Sequence, residues 1–180
     1  MSQVVLNREA VSRKINSLQV KNSAGPDNIH PKLLRVAGDT VIPSLVSLYQ
    51  HSIDRETVFL QWKVARITPL HKKDNETDIA NYRPVSLLSI PSKKLEELVN
   101  DLVGHVFTAN DLAAVRQWAY RKGYSTELLL TQLTELWRKE LDKGKAIVIA
   151  FIDFKKAFDC VQHSFLKQSY STILVSLVHC

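Results

Sequence analysis

Cysteine and long apolar runs are both scarce in this sequence. The chain has only two cysteines, Cys160 and Cys180, too few for a disulfide framework or a cysteine metal cluster. No apolar run is long enough to cross a bilayer, and the first residues lack the pattern of a signal peptide. We therefore expect no membrane partner and an intracellular protein, in the cytoplasm, the nucleus or both, with reduced thiols.

Acidic residues are fewer than basic ones. The chain has 18 Asp and Glu against 24 Lys and Arg, a formal net charge of +6. Hydrophobic content of 45% and charged content of 23% exclude a disordered chain, and 180 residues can bury one core. The positive charge suits a polyanionic partner such as nucleic acid, although many basic proteins bind nothing anionic.

Apolar residues recur at helical spacing in five stretches of the chain. The pattern predicts a helix capped by Asn7, a short helix that begins at Pro31, and a longer one capped by Asp39. Further amphipathic helices are predicted to start at Pro91 and at Ser125.

Three stretches are predicted to be strands. Residues 64–72 alternate like an edge strand, since a proline within them argues against a central place. Residues 85–88 form a second short strand, and the apolar run 146–152 forms a third that ends at Asp153. The order of elements indicates a mixed α/β fold. We expect one domain with two lobes, a mobile two-stranded lobe near residues 62–90 and a packed lobe that holds Asp153.

Asp153 stands where this apolar run ends. A strand that ends in a carboxylate and turns into a helix suits a divalent metal, because the backbone is fixed and the carboxylate meets solvent. Mg²⁺ prefers such oxygens and keeps waters and phosphates as its other ligands. If this strand–Asp–helix pattern stood alone, the favoured interpretation would be that Asp153 caps a helix that starts near Phe154. Phe158 either gates a ligand by shape or packs in the core, and Asp159 suits a hydrogen bond within the turn.

Basic side chains occur along and after the two predicted strands of residues 64–88. They include Arg66, Lys72 and Arg83. Arginine can clamp a phosphate with two hydrogen bonds and lysine adds a mobile charge, so the set suits a triphosphate. By composition alone, a solvated basic face is the favoured interpretation.

Four motifs in a fixed order resemble those of reverse transcriptases from non-LTR (LINE-type, jockey-like) retrotransposons. The resemblance runs from about residue 25 to about residue 166, most of the chain. The motifs are residues 23–34 with a Gly-Pro-Asp turn, 62–73 together with 81–88, 117–126, and 151–159.

The third motif departs from the family pattern Gln-x-Gly-Phe-Arg-x-Gly-Arg-Ser-Thr at three positions. Ala119 replaces Gly, Tyr120 replaces Phe, and Tyr124 replaces Arg. An alanine at position 119 is costly if the backbone there needs a positive φ, and Tyr124 removes a cation that could touch template or primer. These departures weaken the case for an active enzyme.

The resemblance implies an α/β (α+β) fold, a reverse-transcriptase-like right-hand polymerase with fingers and partial palm only. Residues 1–24 would be an N-terminal helical lead-in. Residues 25–168 would be a partial reverse transcriptase domain, with fingers over about 25–124 and the palm start over about 125–168. Residues 169–180 are unplaced. The sequence has no Asp-Asp pair, so we expect truncation before the second catalytic motif, written Tyr/Phe-x-Asp-Asp in the family.

The resemblance also implies roles for individual residues. Asp153 would be the catalytic carboxylate and the ligand of Mg²⁺ or Mn²⁺. Arg83 would hold the triphosphate of a dNTP, with either Lys72 or Arg66 as the second cation. The remaining nucleotide contacts would be Phe154 and Phe158, and the contacts to RNA template and DNA primer would be Pro26, Asp27, Arg121, Lys122 and Ser125.

The resemblance and these implied roles predict a fragment of an RNA-directed DNA polymerase that uses two-metal nucleotidyl transfer when intact. We expect this chain alone to be inactive, because two metals need carboxylates from more than one strand. Its partners would include the C-terminal palm and thumb of the same polymerase, which this chain would lack. The apolar strand would then expose unpaired edges, which predicts marginal stability or self-association.

Two other classes remain open at this point. A non-catalytic basic module would bind nucleic acid through phosphates, with an affinity that falls steeply in salt. A degenerate remnant would fold in part and bind nothing. A metallohydrolase built on Asp153 and His163 is disfavoured, because no nucleophile or further ligand is evident.

Overall fold

The computed structural model of this protein describes residues 4–110, 112, 114–154 and 160–168. The chain forms two compact units, Met1–Val115 and Arg116–Cys180. The helices and strands are α1 (Arg8–Asn16), α2 (Pro31–Ala37), α3 (Ile42–Asp54), β1 (Arg66–His71), β2 (Tyr82–Leu87), α4 (Ile90–Ala109) and α5 (Thr126–Leu141). Three short 3₁₀ turns cover Gly38–Thr40, Leu60–Lys63 and Ile79–Asn81.

The predicted helix starts are confirmed where a local side chain or a proline sets them. The Asn7 side chain accepts a hydrogen bond from the Glu9 amide, and Pro31 is the first residue of α2. Ser125 caps α5 by accepting from the amide of Leu128. The Asn7 and Ser125 side chains each satisfy an amide that the helix leaves unpaired. Pro31 has no amide hydrogen, so no partner is needed at that position.

The prediction that Asp39 caps α3 is wrong. Asp39 lies inside a 3₁₀ turn, which closes through a bond from the Val41 amide to the Gly38 carbonyl at 3.3 Å. Gly38 takes a φ of +47°, which turns the chain before α3. The helix then begins at Ile42 with no side-chain cap, and Pro43 in its first turn has no amide to satisfy.

The hydrophobic core lies in the first unit, where α1, α3 and α4 meet. Its buried side chains are Leu6, Val11, Ile15, Leu18, Leu34, Ile42, Leu45, Tyr49, Ile90, Leu95 and Leu98. Tyr49 is fully buried, and its hydroxyl donates to the Pro91 carbonyl at 2.9 Å. Burial, with a smaller effect from Glu97, raises the pKa of Tyr49.

Gln50 of α3 holds the extended residues that precede α1. Its side-chain carbonyl accepts from the Leu6 amide at 2.9 Å, and its side-chain amide donates to the Val4 carbonyl at 2.8 Å. Leu6 is thereby held in the core, which fixes where α1 begins.

Strands β1 and β2 are the two predicted strands, and they pair as an antiparallel hairpin. β1 is shorter than the predicted 64–72, and β2 starts earlier than predicted, at Tyr82. Arg66 pairs with Leu87, Leu70 with Arg83 and His71 with Tyr82. The Lys72 amide donates to the Asn81 carbonyl at 2.8 Å and so continues the ladder.

The two prolines of the hairpin lie opposite each other, Pro69 against Pro84. Hydrogen-bonded and non-hydrogen-bonded pairs alternate along an antiparallel ladder, so counting from the bonded Lys72–Asn81 pair puts the prolines in a non-hydrogen-bonded pair. Neither proline therefore costs the ladder a bond. In the described part of the chain both strands pair only with each other, which confirms the edge position of β1.

The second unit does not form the predicted strand over residues 146–152. The backbone of this segment is not part of a strand. The side chains of Val148, Phe151 and Ile152 are 95%, 91% and 83% exposed. A strand needs a paired neighbour, and among the described residues none lies beside this segment. The predicted packed lobe around Asp153 is therefore wrong for the described residues, whose buried core is in the first unit.

Residues 163–168 are helical. The other helix of this unit, α5, buries none of its side chains. Across the described ranges, every helix is too short or too polar to cross a membrane.

Candidate functional site

The hairpin places three cationic residues on one of its faces. Side chains alternate along a strand, and directly paired residues point to the same side. Because Leu70 pairs with Arg83, positions 66, 70 and 72 share a face with position 83. Arg66, Lys72 and Arg83 therefore belong to one surface, which we call the basic face.

The spacing within the basic face is uneven. Lys72 and Arg83 are diagonal neighbours across the ladder, with backbones about 7–8 Å apart. Arg66 lies four residues from position 70, about 13 Å along the strand. Two cations are thus close enough to act on one anion, while Arg66 is at the other end of the hairpin.

Arg66 is also engaged by protein atoms. Its guanidinium donates to the side-chain oxygen of Asn28 at 3.1 Å and, at 3.5 Å, to the carbonyl of Gly25. By contrast, Lys72 and Arg83 are exposed, and no hydrogen bond or ion pair holds their side chains within the described residues. The structure thus separates the two cations that the sequence could not rank.

Residues 25–28 form a tight turn, which we call the GPD turn. The Asn28 amide donates to the Gly25 carbonyl at 3.1 Å. One oxygen of Asp27 accepts from the Ile29 amide at 3.1 Å, and the other accepts from the Ser89 hydroxyl at 2.6 Å. Both carboxylate oxygens of this predicted template contact therefore have protein partners. Pro26, the other predicted contact in the turn, is half-buried.

Gly25 is buried against the backbone that joins β2 to α4. A Cβ at this position would lie 2.5 Å from the Leu88 carbonyl oxygen and 2.6 Å from the Ser89 nitrogen. Backbone atoms cannot yield as a flexible side chain does, so the GPD turn fits here only with glycine.

In the second unit, the turn before α5 arranges a cation over an aromatic ring. The Arg121 guanidinium carbon lies 4.3 Å above the centre of the Tyr124 ring, and its Nη1 donates to the Gln117 carbonyl. Trp118 packs edge-on against the same ring at 5.0 Å. Tyr124, which replaces the family's arginine, is therefore the platform for Arg121, while Lys122 is exposed.

The departure at Ala119 does not carry the cost that a positive φ would impose. The left-handed residues of this turn are Tyr120, with φ +60°, and Gly123, with φ +83°. Tyr120 bears the strain with its side chain 92% exposed. Ser125 is occupied as the cap of α5, and it also helps to lower the pKa of Glu127, after that residue's own backbone amide.

Asp153 and Phe154 are exposed at the end of the unpaired segment. Phe158 and Asp159 lie outside the described residues. The Asp153 carboxylate is a hard oxygen donor that suits Mg²⁺, which proteins hold through one or two carboxylates together with substrate phosphates. Within the described ranges no three His, Cys, Asp or Glu residues are grouped to hold a metal without a substrate.

The sequence did not identify Ser89 as part of any site. A serine before a proline-headed helix is an ordinary N-cap candidate, and Ser89 does occupy the N-cap of α4. Its hydroxyl makes no cap bond there and donates instead to Asp27, 62 residues away. The Gly-Pro-Asp turn was the signal in the sequence that could have pointed to a tightly packed contact at this place.

Comparison with known proteins agrees with the motifs. A model of the family described as reverse transcriptase (RNA-dependent DNA polymerase) matches residues 70–178. The probable RNA-directed DNA polymerase from transposon BS of Drosophila melanogaster is 31% identical over 156 residues, 86% of this chain and 17% of that protein.

Two further relatives are similar over the same share of the chain. The RNA-directed DNA polymerase from mobile element jockey of Drosophila melanogaster is 27% identical over 159 residues, 17% of its length. The retrovirus-related Pol polyprotein from type-1 retrotransposable element R1 of Bradysia coprophila is 26% identical over 161 residues, 15% of its length.

The chain belongs to the reverse transcriptase (RNA-dependent DNA polymerase) family. Its relatives confirm the predicted resemblance to the enzymes of non-LTR retrotransposons. The chain spans about a sixth of the length of these relatives.

Proposed function

We propose that this chain provides the triphosphate-binding surface and the first metal-binding carboxylate of an RNA-directed DNA polymerase. The observation that carries the proposal is the register of the hairpin, which puts Arg83 and Lys72 side by side on the basic face. Both side chains are exposed and without a protein partner among the described residues, so both are available to an anion.

Lys72, not Arg66, is the second cation of this proposal. Arg66 is about 13 Å along the strand from the position opposite Arg83 and is bonded to the GPD turn. Lys72 is the diagonal neighbour of Arg83. An arginine fork and a mobile ammonium together match the oxygens of a dNTP triphosphate.

Asp153 would hold Mg²⁺, or Mn²⁺, together with the phosphates of the incoming nucleotide. A metal held there would supply activation of the primer hydroxyl and stabilisation of charge on the phosphates. Phe154 and Phe158 would contact the nucleotide. Pro26 and the exposed Lys122 would contact template or primer, as would Arg121, from its position over Tyr124.

Equilibrium binding of a Mg²⁺–dNTP to this chain tests the proposal, read from amide chemical shifts. Arg83→Ala and Lys72→Ala should each weaken binding by about tenfold or more, because each removes a charge-assisted contact. Lys32→Ala is the matched control, since it removes an exposed lysine on α2, outside the hairpin. If all three variants weaken binding equally, the basic face is only a diffuse positive surface and the proposal fails.

The dNTP titration, together with RNA binding at several salt concentrations, distinguishes the non-catalytic alternative. A general nucleic-acid module would bind RNA with a steep salt dependence, and dNTP binding would not depend on Arg83.

A further inference from the structure

We propose that the GPD turn is a brace that fixes the direction of the hairpin and so positions the basic face. Asp27, Asn28, Arg66 and Ser89 are then positioning residues, which act on the triphosphate only through Arg83 and Lys72. The inference rests on the proposed function of the basic face and adds the elements that hold it in place.

The two side-chain contacts of the turn grip the same end of the hairpin. Arg66 is the first residue of β1 and pairs with Leu87, the last residue of β2. Ser89 follows Leu87 by two residues. The Asn28–Arg66 bond therefore ties the turn to one strand, and the Asp27–Ser89 bond ties it to the end of the other.

A third contact is made by the backbone itself. The Gly25 backbone packs directly on Leu88 and Ser89, where even a methyl group would collide. Ser89 is fully buried, and its hydroxyl is free for Asp27 because it makes no cap bond to α4. Three independent contacts thus converge on the base of the hairpin, and each would be weakened by a tilt.

Lys72 and Arg83 lie well beyond this base, so a small tilt at the base produces a larger displacement at these two cations. Position 72 is six residues from Arg66, about 20 Å along the strand, and a tilt of 10° at the base would move it by about 3.5 Å. A hydrogen bond to phosphate does not survive a displacement of that size. The brace therefore matters for triphosphate affinity even though it does not touch the ligand.

The test compares brace variants with a matched buried serine in the full chain. Ser89→Ala removes the hydroxyl that Asp27 accepts. Asn28→Gly removes the acceptor of Arg66 at an exposed position whose φ of +56° glycine tolerates, so this variant is expected to fold. Ser92→Ala, a buried serine one turn further along α4, is the control.

Two quantities are measured for each variant: amide hydrogen exchange by residue, and affinity for a Mg²⁺–dNTP. Ser89→Ala and Asn28→Gly should speed exchange in β1 and β2 by about tenfold, leave α3 unchanged and lower affinity severalfold. Ser92→Ala should do neither. Arg83→Ala should lower affinity with no change in exchange.

Several results would overturn the inference. Equal acceleration in α3 and in the hairpin would indicate a loss of global stability only, and unchanged hairpin exchange would show that the turn braces nothing. If affinity depends on Arg83 but not on Ser89 or Asn28, the proposed function stands and the brace is wrong. If the unmodified chain binds no triphosphate, the proposed function fails, and the positioning role fails with it.

Discussion

At the scale of single residues, Tyr49 joins burial and hydrogen bonding in the core. Its ring is fully buried and its hydroxyl donates to the carbonyl of Pro91 at the start of α4. Burial favours the neutral phenol, which is why the pKa of Tyr49 is above its ordinary value of 10.0.

Tyr49→Phe should lower the free energy of unfolding by about 0.5–1.5 kcal/mol at pH 7, because it removes the buried hydrogen bond to the Pro91 carbonyl. The pKa is raised in the folded state, so the stability from the neutral phenol is present below pH 10.0 and falls as the pH rises above it. Urea unfolding at pH 7 and in alkali should show a smaller alkaline loss in the variant. The exposed Tyr120→Phe is the control, and equal alkaline losses in Tyr49→Phe and the unmodified chain would contradict the assignment.

Alanine substitutions at two glycines should change the stability of the protein in opposite directions. Gly25→Ala should destabilise the first unit by about 1–3 kcal/mol, because its Cβ meets backbone at 2.5 Å. Gly104→Ala, inside α4 with open space around it, should stabilise by up to about 1 kcal/mol. Thermal melts of both variants measure the difference. A neutral Gly25→Ala would show that the turn does not sit tightly on Leu88.

At the scale of elements, missing backbone donors protect the edges of the hairpin from pairing with a further strand. In a non-hydrogen-bonded pair the backbone donors point outward, so Pro69 and Pro84 leave a gap in the donors of both outer edges. An edge without donors is a poor template for a further strand.

Pro69→Val with Pro84→Val should promote association through these edges, because it restores one outward amide on each strand. Sedimentation velocity over a range of concentrations measures the effect. Thr68→Val is the control, since its amide points into the ladder and no edge donor is added. Association that is equal in both variants would point to added apolar surface instead of edge pairing.

Most elements that depend on neighbouring residues could be predicted from the sequence, whereas the strand that needs a distant partner could not. The helix starts at Asn7, Pro31 and Ser125 depend on neighbours within a few residues, and all three are confirmed. The strand over 146–152 depends on a partner elsewhere, and composition alone does not supply one. The predicted Asp39 cap is wrong for a local reason. Gly38, with its positive φ, begins a 3₁₀ turn that contains Asp39.

The candidate site shows the same division. Arg83 and the two possible partner cations could be named from motifs, but choosing Lys72 over Arg66 required the strand register and the Asn28 contact. Ser89 could not be found, because its partner is 62 residues away. The roles of Asp153, Phe154 and Phe158 stay predictions.

At the scale of the whole molecule, two-metal nucleotidyl transfer requires carboxylates from more than one strand, and the motifs of this chain predict one of them, Asp153. The sequence has no Asp-Asp pair, and Asp153 is exposed on a segment without a paired neighbour in the described residues. The self-association expected of this segment stays a prediction.

Primer extension on an RNA template with this chain alone should yield no product, because two-metal transfer requires a second source of carboxylates. The measurement compares the unmodified chain with Asp153→Asn in Mg²⁺ and in Mn²⁺. Synthesis that requires the metal and disappears in Asp153→Asn would refute the expectation and would show that the Asp153 carboxylate is required for synthesis.

The facing prolines of the hairpin also guard it against slipping. If either strand shifted by one residue, Pro69 and Pro84 would fall in adjacent pairs of the ladder, and one of them would necessarily occupy a hydrogen-bonded pair that it cannot complete. The same one-residue slip would turn Arg83 to the side opposite Lys72. Two residues without an amide hydrogen thus penalise the one misalignment that would separate the paired cations.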